Sequence, residues 1–291
     1  MSTETADAST TTTEERDGTA SEVADLRDRI DTRRLGAGAA GTLAFLVLWQ
    51  VVAMPLKPFI LPTPVEVGGA LYGQLTTDAT YTLPFTSSDV SLPKLFVRLF
   101  QSLQHYLPGL VIGSTLGTTT GIAMGWFTLV DDALTPVTRI LRPIPPLAWI
   151  AFAIIWFGTG HTGATFIVAI GAFWITFYNA YSGVEAVPQD LKEVAASLGV
   201  NDDLTMIRKV VVPSAMPEIF TGIRTSIGQC WMIVVAAELV GPPGVGEQIL
   251  IAAQNLALDV SVAYMLVISA VFLVSDAAFR KVQQEVLAWR A

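Results

Sequence analysis

Residues 193–217 read EVAASLGVNDDLTMIRKVVVPSAMP. With Lys192 just before it, this stretch brings Glu193, Asp202, Asp203, Arg208 and Lys209 between two segments that are too apolar to sit in water. Gly199 is placed to end a first helix, because glycine enters the left-handed cap conformation without a Cβ clash. Asn201 or Asp202 can cap a second helix, and Pro213 is placed to end or bend it. The pattern predicts a small helix–turn–helix hairpin at a membrane surface.

Working outward, the rest of the chain explains why a membrane is needed. Of 291 residues, 52% are hydrophobic and only 14% charged, against about 25% charged in an ordinary soluble domain. The deficit lies after residue 35. Nine of the 25 acidic residues fall within residues 1–31. Residues 1–35 are rich in Thr, Ser, Ala, Glu and Asp and too poor in large apolar side chains to fold alone, so a disordered tail is expected there. A single cysteine, Cys230, excludes a disulfide framework. His105 and His161 are far apart and read as isolated, with no metal-ligand spacing. A net charge of −8 argues against nucleic acid as a partner.

Residues 36–54 are uncharged over a length that spans a bilayer core of roughly 30 Å. A cleavable signal peptide is the competing reading, but no small-x-small cleavage site clearly follows. Residues 55–94 are proline-rich and polar and read as an extended segment. Residues 94–106 are amphipathic and lead into a second span at 107–130. That span carries Gly109, Gly113, Gly117, Gly121 and Gly125, a small-residue stripe suited to close packing against another helix of the same chain. Residues 131–142 read as a polar break. Further spans are expected near 143–158, 163–183, 219–240 and 260–278, with a Gly/Pro turn and short helix between the last two.

Six spans with the N-terminus inside leave 14 of the 17 Lys and Arg residues on the cytoplasmic side. The reverse orientation inverts that ratio, so both termini and the 188–217 loop are expected in the cytoplasm of a plasma-membrane protein. No enzyme constellation appears. Glu238 lies near the outer end of the fifth span and is a candidate for the translocation path, because intramembrane carboxylates serve function by default. Its bland alternative is a water-accessible or helix-bonded side chain. Asp276 is expected to pair with Arg280 at i+4. No GxxxxGK[ST] loop is present, so ATP binding of that kind must come from another chain.

The hairpin carries a resemblance. Glu193-Val194-Ala195-Ala196-Ser197-Leu198-Gly199, followed by Val210-Val211-Val212-Pro213, resembles the EAA loop of the membrane subunits of binding-protein-dependent ABC importers, the type I permease family. Val194 replaces the usual second alanine. Arg142-Pro143-Ile144-Pro145-Pro146-Leu147-Ala148-Trp149, Ile155-Trp156-Phe157-Gly158 and Ala237-Glu238 with Gly244-Val245-Gly246 look like the subfamily for nitrate, sulfonate, taurine and bicarbonate. The likeness covers residues 95–285. It implies an all-α integral membrane protein with the type I permease fold. It also implies an ATP-binding subunit that receives Glu193, Ala195, Ala196, Gly199, Val212 and Pro213. An extracytoplasmic solute-binding protein and a second permease copy, or a related chain, would complete the assembly. On this reading the chain holds no cofactor of its own and ATP sits on the partner. The alternative is an ion-coupled secondary transporter, which calls for internal repeats or broken helices with ion ligands.

Overall fold

The computed structural model describes residues 36–82, 89–239 and 241–288. The acidic tail at 1–35 lies outside the described residues. The chain forms two units, residues 1–64 and 65–291.

In the first unit, helix α1 (Gly36–Ala53) is apolar almost all round, with Leu43, Phe45, Val47 and Leu48 each 62% exposed. A helix that shows such a surface on every side belongs in lipid. After it the chain turns back, and the Trp49 indole N–H donates to the Pro62 carbonyl at 3.0 Å.

The second unit opens with α2 (Pro64–Thr76) and a two-stranded antiparallel ribbon, β1 (Asp78–Thr82) and β2 (Asp89–Pro93). The polar segment expected to be merely extended is therefore paired, Thr80 opposite Ser91. Its Thr and Tyr residues favour a pleated, half-exposed surface. Helix α3 (Lys94–Trp126) joins the amphipathic lead and the second span into one 33-residue rod that runs through Pro108.

Helix α6 (His161–Glu185) is the centre of the bundle, with α3 on one side and α9 (Val212–Glu238) on the other. The five-glycine face of α3 lies against α6. A Cβ on Gly109 would sit 2.7 Å from the Val168 Cβ, and one on Gly125 would sit 2.8 Å from that of Val184. At Gly113, Gly117 and Gly121 it would run into the carbonyls of Ala169, Phe173 and Phe177. The stripe thus packs the helix within its own chain, as the spacing predicts.

Two segments depart from expectation. The expected polar break at 131–142 is instead the body of helix α4 (Thr128–Leu141) and its C-cap Arg142, followed by a 3-10 turn (Pro146–Trp149) and the short helix α5 (Ile150–Phe157). The two arms meet at 86°. Pro143, Pro145 and Pro146 each lack a backbone donor and force this bend, so the expected third span is the shorter arm of a sharply bent helix pair. Nor does Pro213 end the hairpin's second helix. Ile207–Val211 widen into a π turn, and the chain stays helical from Asp203 to Glu238. The wider turn accommodates both the missing proline N–H and its ring.

Helices α10 (Val245–Gln254) and α11 (Leu258–Val286) complete the unit. Among the described residues four helices are long and apolar enough to cross a membrane, five if the bent pair counts as one. α3 is long enough but is diluted by glycine and threonine.

Gly113→Val is expected to lower the melting temperature of the detergent-solubilised protein, through a cost of about 1–3 kcal/mol from overpacking. Gly73→Ala meets no atom within 4 Å and is expected to leave that temperature unchanged or raise it.

Candidate functional site

The hairpin forms as the sequence suggests. α7 (Gln189–Ser197) ends where Gly199 takes φ +91°, and no atom would obstruct a Cβ there, so glycine is required for conformation and not for room. Asp202 caps α8 (Asp203–Met206) by accepting from the Thr205 N–H at 2.9 Å and from its hydroxyl at 3.0 Å. The backbone bond, then the hydroxyl, hold the Asp202 carboxyl below the usual carboxylate range.

The predicted residues separate into two groups. Ala195 points inward, onto a core of Ala180, Val184, Val187, Met206, Val211 and Ala215. Its small size serves the packing of α7 on the bundle. Glu193, Ala196 and Gly199 are exposed, while Val212 and Pro213 are half-buried at the start of α9. Glu193 accepts a long hydrogen bond from Gln189, 3.4 Å, one turn earlier.

Sequence reasoning missed the apolar side of this surface. Leu191, Val194 and Leu198 share one face of α7 at 42%, 56% and 80% exposure, and Leu204 of α8 is 72% exposed. Their i, i+3, i+7 spacing was legible. Only the structure shows that the bundle does not cover them. The hairpin is also tied to the far end of α3. The Trp126 indole donates to Asp203 at 3.3 Å and the Lys192 ammonium sits 5.5 Å from the Trp126 ring centroid.

At the opposite end of the bundle the two histidines are not isolated. The His105 Nε2 lies 2.6 Å from the Glu238 Oε1, and its Nδ1 lies 3.0 Å from the His161 Nδ1. The Gly246 N–H donates to the Glu238 Oε2 at 2.6 Å. With Glu238 ionised, His105 donates from Nε2 and accepts from the His161 N–H. Both side chains of the His105–Glu238 pair are fully enclosed.

Glu238 is therefore enclosed within this chain and not water-accessible. It clamps α3, α9 and the start of α10 together. Gly244 and Gly246 follow from that clamp, because a Cβ on Gly244 would overlap the Glu238 carboxyl and one on Gly246 would lie 2.9 Å from its Cβ. No sequence pattern links His105 to Glu238, since 133 residues separate them.

Near the other end Asp276 does meet Arg280, at 3.2 Å. It binds Arg224 of α9 more closely, at 2.7 Å. Among the described residues no group of three or more His, Cys, Asp or Glu side chains is arranged to hold a metal.

Long apolar helices, one sharply bent helix pair and a polar hairpin packed on the bundle define a multi-pass membrane protein. The same fold occurs in a chain of the MetNI methionine ABC transporter, solved in inward-facing conformations. The TM-score is 0.57 at 18% identity, over 66% of this chain and 96% of that one. Residues 109–287 match the family model of the binding-protein-dependent transport system inner membrane component, and the chain belongs to that family. It is 33% identical to the taurine transport system permease protein TauC of Escherichia coli over 86% of this chain and 88% of that protein. It is 34% identical to the bicarbonate transport system permease protein CmpB of Synechococcus elongatus, over 71% and 73% respectively.

Removing one side of the enclosed pair leaves the other buried without its partner. His105→Ala is expected to cost about 3–5 kcal/mol, with Glu238→Gln milder because the amide keeps an acceptor. Thermal unfolding in detergent reads the order. For Asp202 the sign follows from its depressed pKa. Its cap is fully formed above the ordinary carboxylate range and is lost as pH falls through the lowered value. Hydrogen-exchange protection of the Thr205 amide is expected to fall over that window.

Proposed function

We propose that this chain is the permease subunit of an ATP-driven importer for a small anion. The observation that carries the reading is the hairpin's uncovered apolar face on a rigid mount. Leu191, Val194, Leu198 and Leu204 are exposed apolar side chains on a hairpin that also exposes Glu193, Asp202 and Asp203. Such a patch on a polar surface marks a protein contact. Its partner would be the ATP-binding subunit, and the chain supplies no phosphate loop of its own.

With α3 and the bent pair each taken as a crossing beside the four apolar helices, the chain would cross the membrane six times. The Lys and Arg of the tail, the hairpin and the C-terminal segment support a cytoplasmic side for both termini and the hairpin. Force applied to α7 and α8 passes through the Ala195–Met206–Val211–Ala215 core into α6 and α9. Through Trp126 it reaches α3. The partner would thereby move the three central helices together, opening the path alternately to either side.

Two copies of the chain with two ATPase subunits would enclose the path, bounded by lipid. An extracytoplasmic binding protein would deliver the solute near the segment 55–94. The anion class rests on the named substrates of the relatives, taurine and bicarbonate among them.

Glu193→Lys changes an exposed side chain whose single bond, to Gln189, is long, so the fold is expected to persist. Co-purification of the ATPase is expected to fall about tenfold or more, the loss of a contact worth roughly 1.4 kcal/mol. Val194→Asp is expected to do the same. Unchanged co-purification and unchanged uptake in both variants would overturn the docking assignment.

A further inference from the structure

Helix α9 shows an unusual outer face. Glu218, Thr221, Thr225, Gln229 and Met232 are exposed and recur at intervals of three or four residues, so they form one stripe. The exposed faces of α1 and α11 carry Leu43, Phe45, Leu266, Leu273 and Val274, which suit hydrocarbon. On α9 everything along the stripe before Met232 is polar.

The two threonines are compatible with lipid, because their hydroxyls donate to the carbonyls of Pro217 and Thr221, each at 2.8 Å. Gln229 is different. It sits in the middle of the helix, is exposed, and its carboxamide has no hydrogen-bond partner among the described residues. A bare amide in hydrocarbon is strongly unfavourable, so this face must meet water or a polar ligand.

Charge lies alongside. Arg224 is 42% exposed at the edge of the stripe nearer α11, bound to Asp276 through Nε at 2.7 Å. Arg280, half exposed, shares the same carboxylate at 3.2 Å. Two guanidinium groups thus share one carboxylate at this edge, while the acidic side chain on α9's exposed stripe, Glu218, lies at the stripe's start.

Between α9 and α11 runs a cleft of about 330 Å³ lined by Thr221, Arg224, Thr225, Gly228, Phe272 and Asp276. It shares Thr225, Gly228 and Phe272 with a larger cleft of about 700 Å³, which takes in Gln229 and Met232. Thr225 and Gly228 form the floor between the two edges. Gly228 keeps that floor low, since a Cβ there would lie 3.0 Å from the Phe272 ring.

We propose that Arg224, Thr225, Gly228 and Gln229 form a coordination point for a small oxyanion on the membrane path. Resting on the permease reading, this locates where such a solute is held. Arg224 supplies charge and N–H donors from one edge, and Gln229 supplies amide donors from the other. Asp276 competes with the solute for Arg224. The anion is thus attracted without being trapped, as passage demands of a site inside a path.

Thiol accessibility tests the site without knowledge of the natural solute. In a Cys230→Ala background, single cysteines are placed at Thr225 and Gln229, with Val274→Cys as the lipid-facing control. The full chain, with its ATPase, is treated in membrane vesicles with an anionic sulfonatoethyl methanethiosulfonate and with its cationic trimethylammonium counterpart.

Gln229→Cys and Thr225→Cys are expected to react at least tenfold faster than Val274→Cys. The anionic reagent is expected to be favoured severalfold over its cationic counterpart, relative to a free thiol, and Arg224→Gln is expected to abolish that preference. Reaction as slow as at Val274→Cys, whether from lipid or from a covering protein, would overturn the site. So would a preference indifferent to Arg224. ATP-dependent uptake is measured on the parent complex. Its presence alongside inert cysteines sinks the site alone. Its absence alongside the expected labelling sinks the permease reading and leaves the anion site standing.

Discussion

The close approach of α3 to α6 is the constraint on which the rest of the structure depends. In lipid, apolar side chains gain little by leaving one apolar neighbour for another, so helices associate through contact area and backbone proximity. Five glycines at four-residue intervals let α3 lie against the carbonyls and small side chains of α6 along most of its length. Once that pair is fixed, α9 packs on the other flank of α6, and Gly183 and Gly222 admit Glu218 and Asn179 at the seam. The three helices form a block whose ends carry different chemistry.

At one end the block is locked by buried hydrogen bonds. The Glu238 carboxylate is held by His105 and the Gly246 N–H, and two glycines leave the space that it occupies. At the other end the block carries the hairpin, which continues into α9 through a π turn and not through a flexible joint. A pull on the hairpin must therefore move α9 or break its packing. This is the mechanical requirement for a membrane chain whose energy source lies in another protein.

Legibility in the sequence followed the range of the interactions. The hairpin, the cap at Asp202 and the left-handed residue Gly199 are local, and residue order alone exposes them. The glycine stripe is periodic along one helix, so its role as a packing face was readable although its partner was not. The Asp276–Arg280 pair was visible at i+4, whereas the closer Arg224 lies 52 residues away. The histidines looked isolated for the same reason, because only the folded bundle brings His105 to Glu238 and His161. Pro213 was readable as an end or a bend, and the helix does not end there because a π turn just before it absorbs the defect. Helix α4 was hidden because its charges suggested a loop, and only the structure shows a helical arm bent sharply from α5.

The central claim is that ATP hydrolysis on a separate subunit, delivered through residues 188–217, drives solute across this chain. The most direct measurement is uptake of labelled taurine and bicarbonate into proteoliposomes containing this chain, its ATPase and its binding protein. ATP is supplied on the hairpin side, with and without imposed proton or sodium gradients. The account predicts accumulation of at least one solute that requires ATP and the binding protein and is indifferent to the gradients. Accumulation driven by a gradient in the absence of ATP would contradict it and identify an ion-coupled carrier instead.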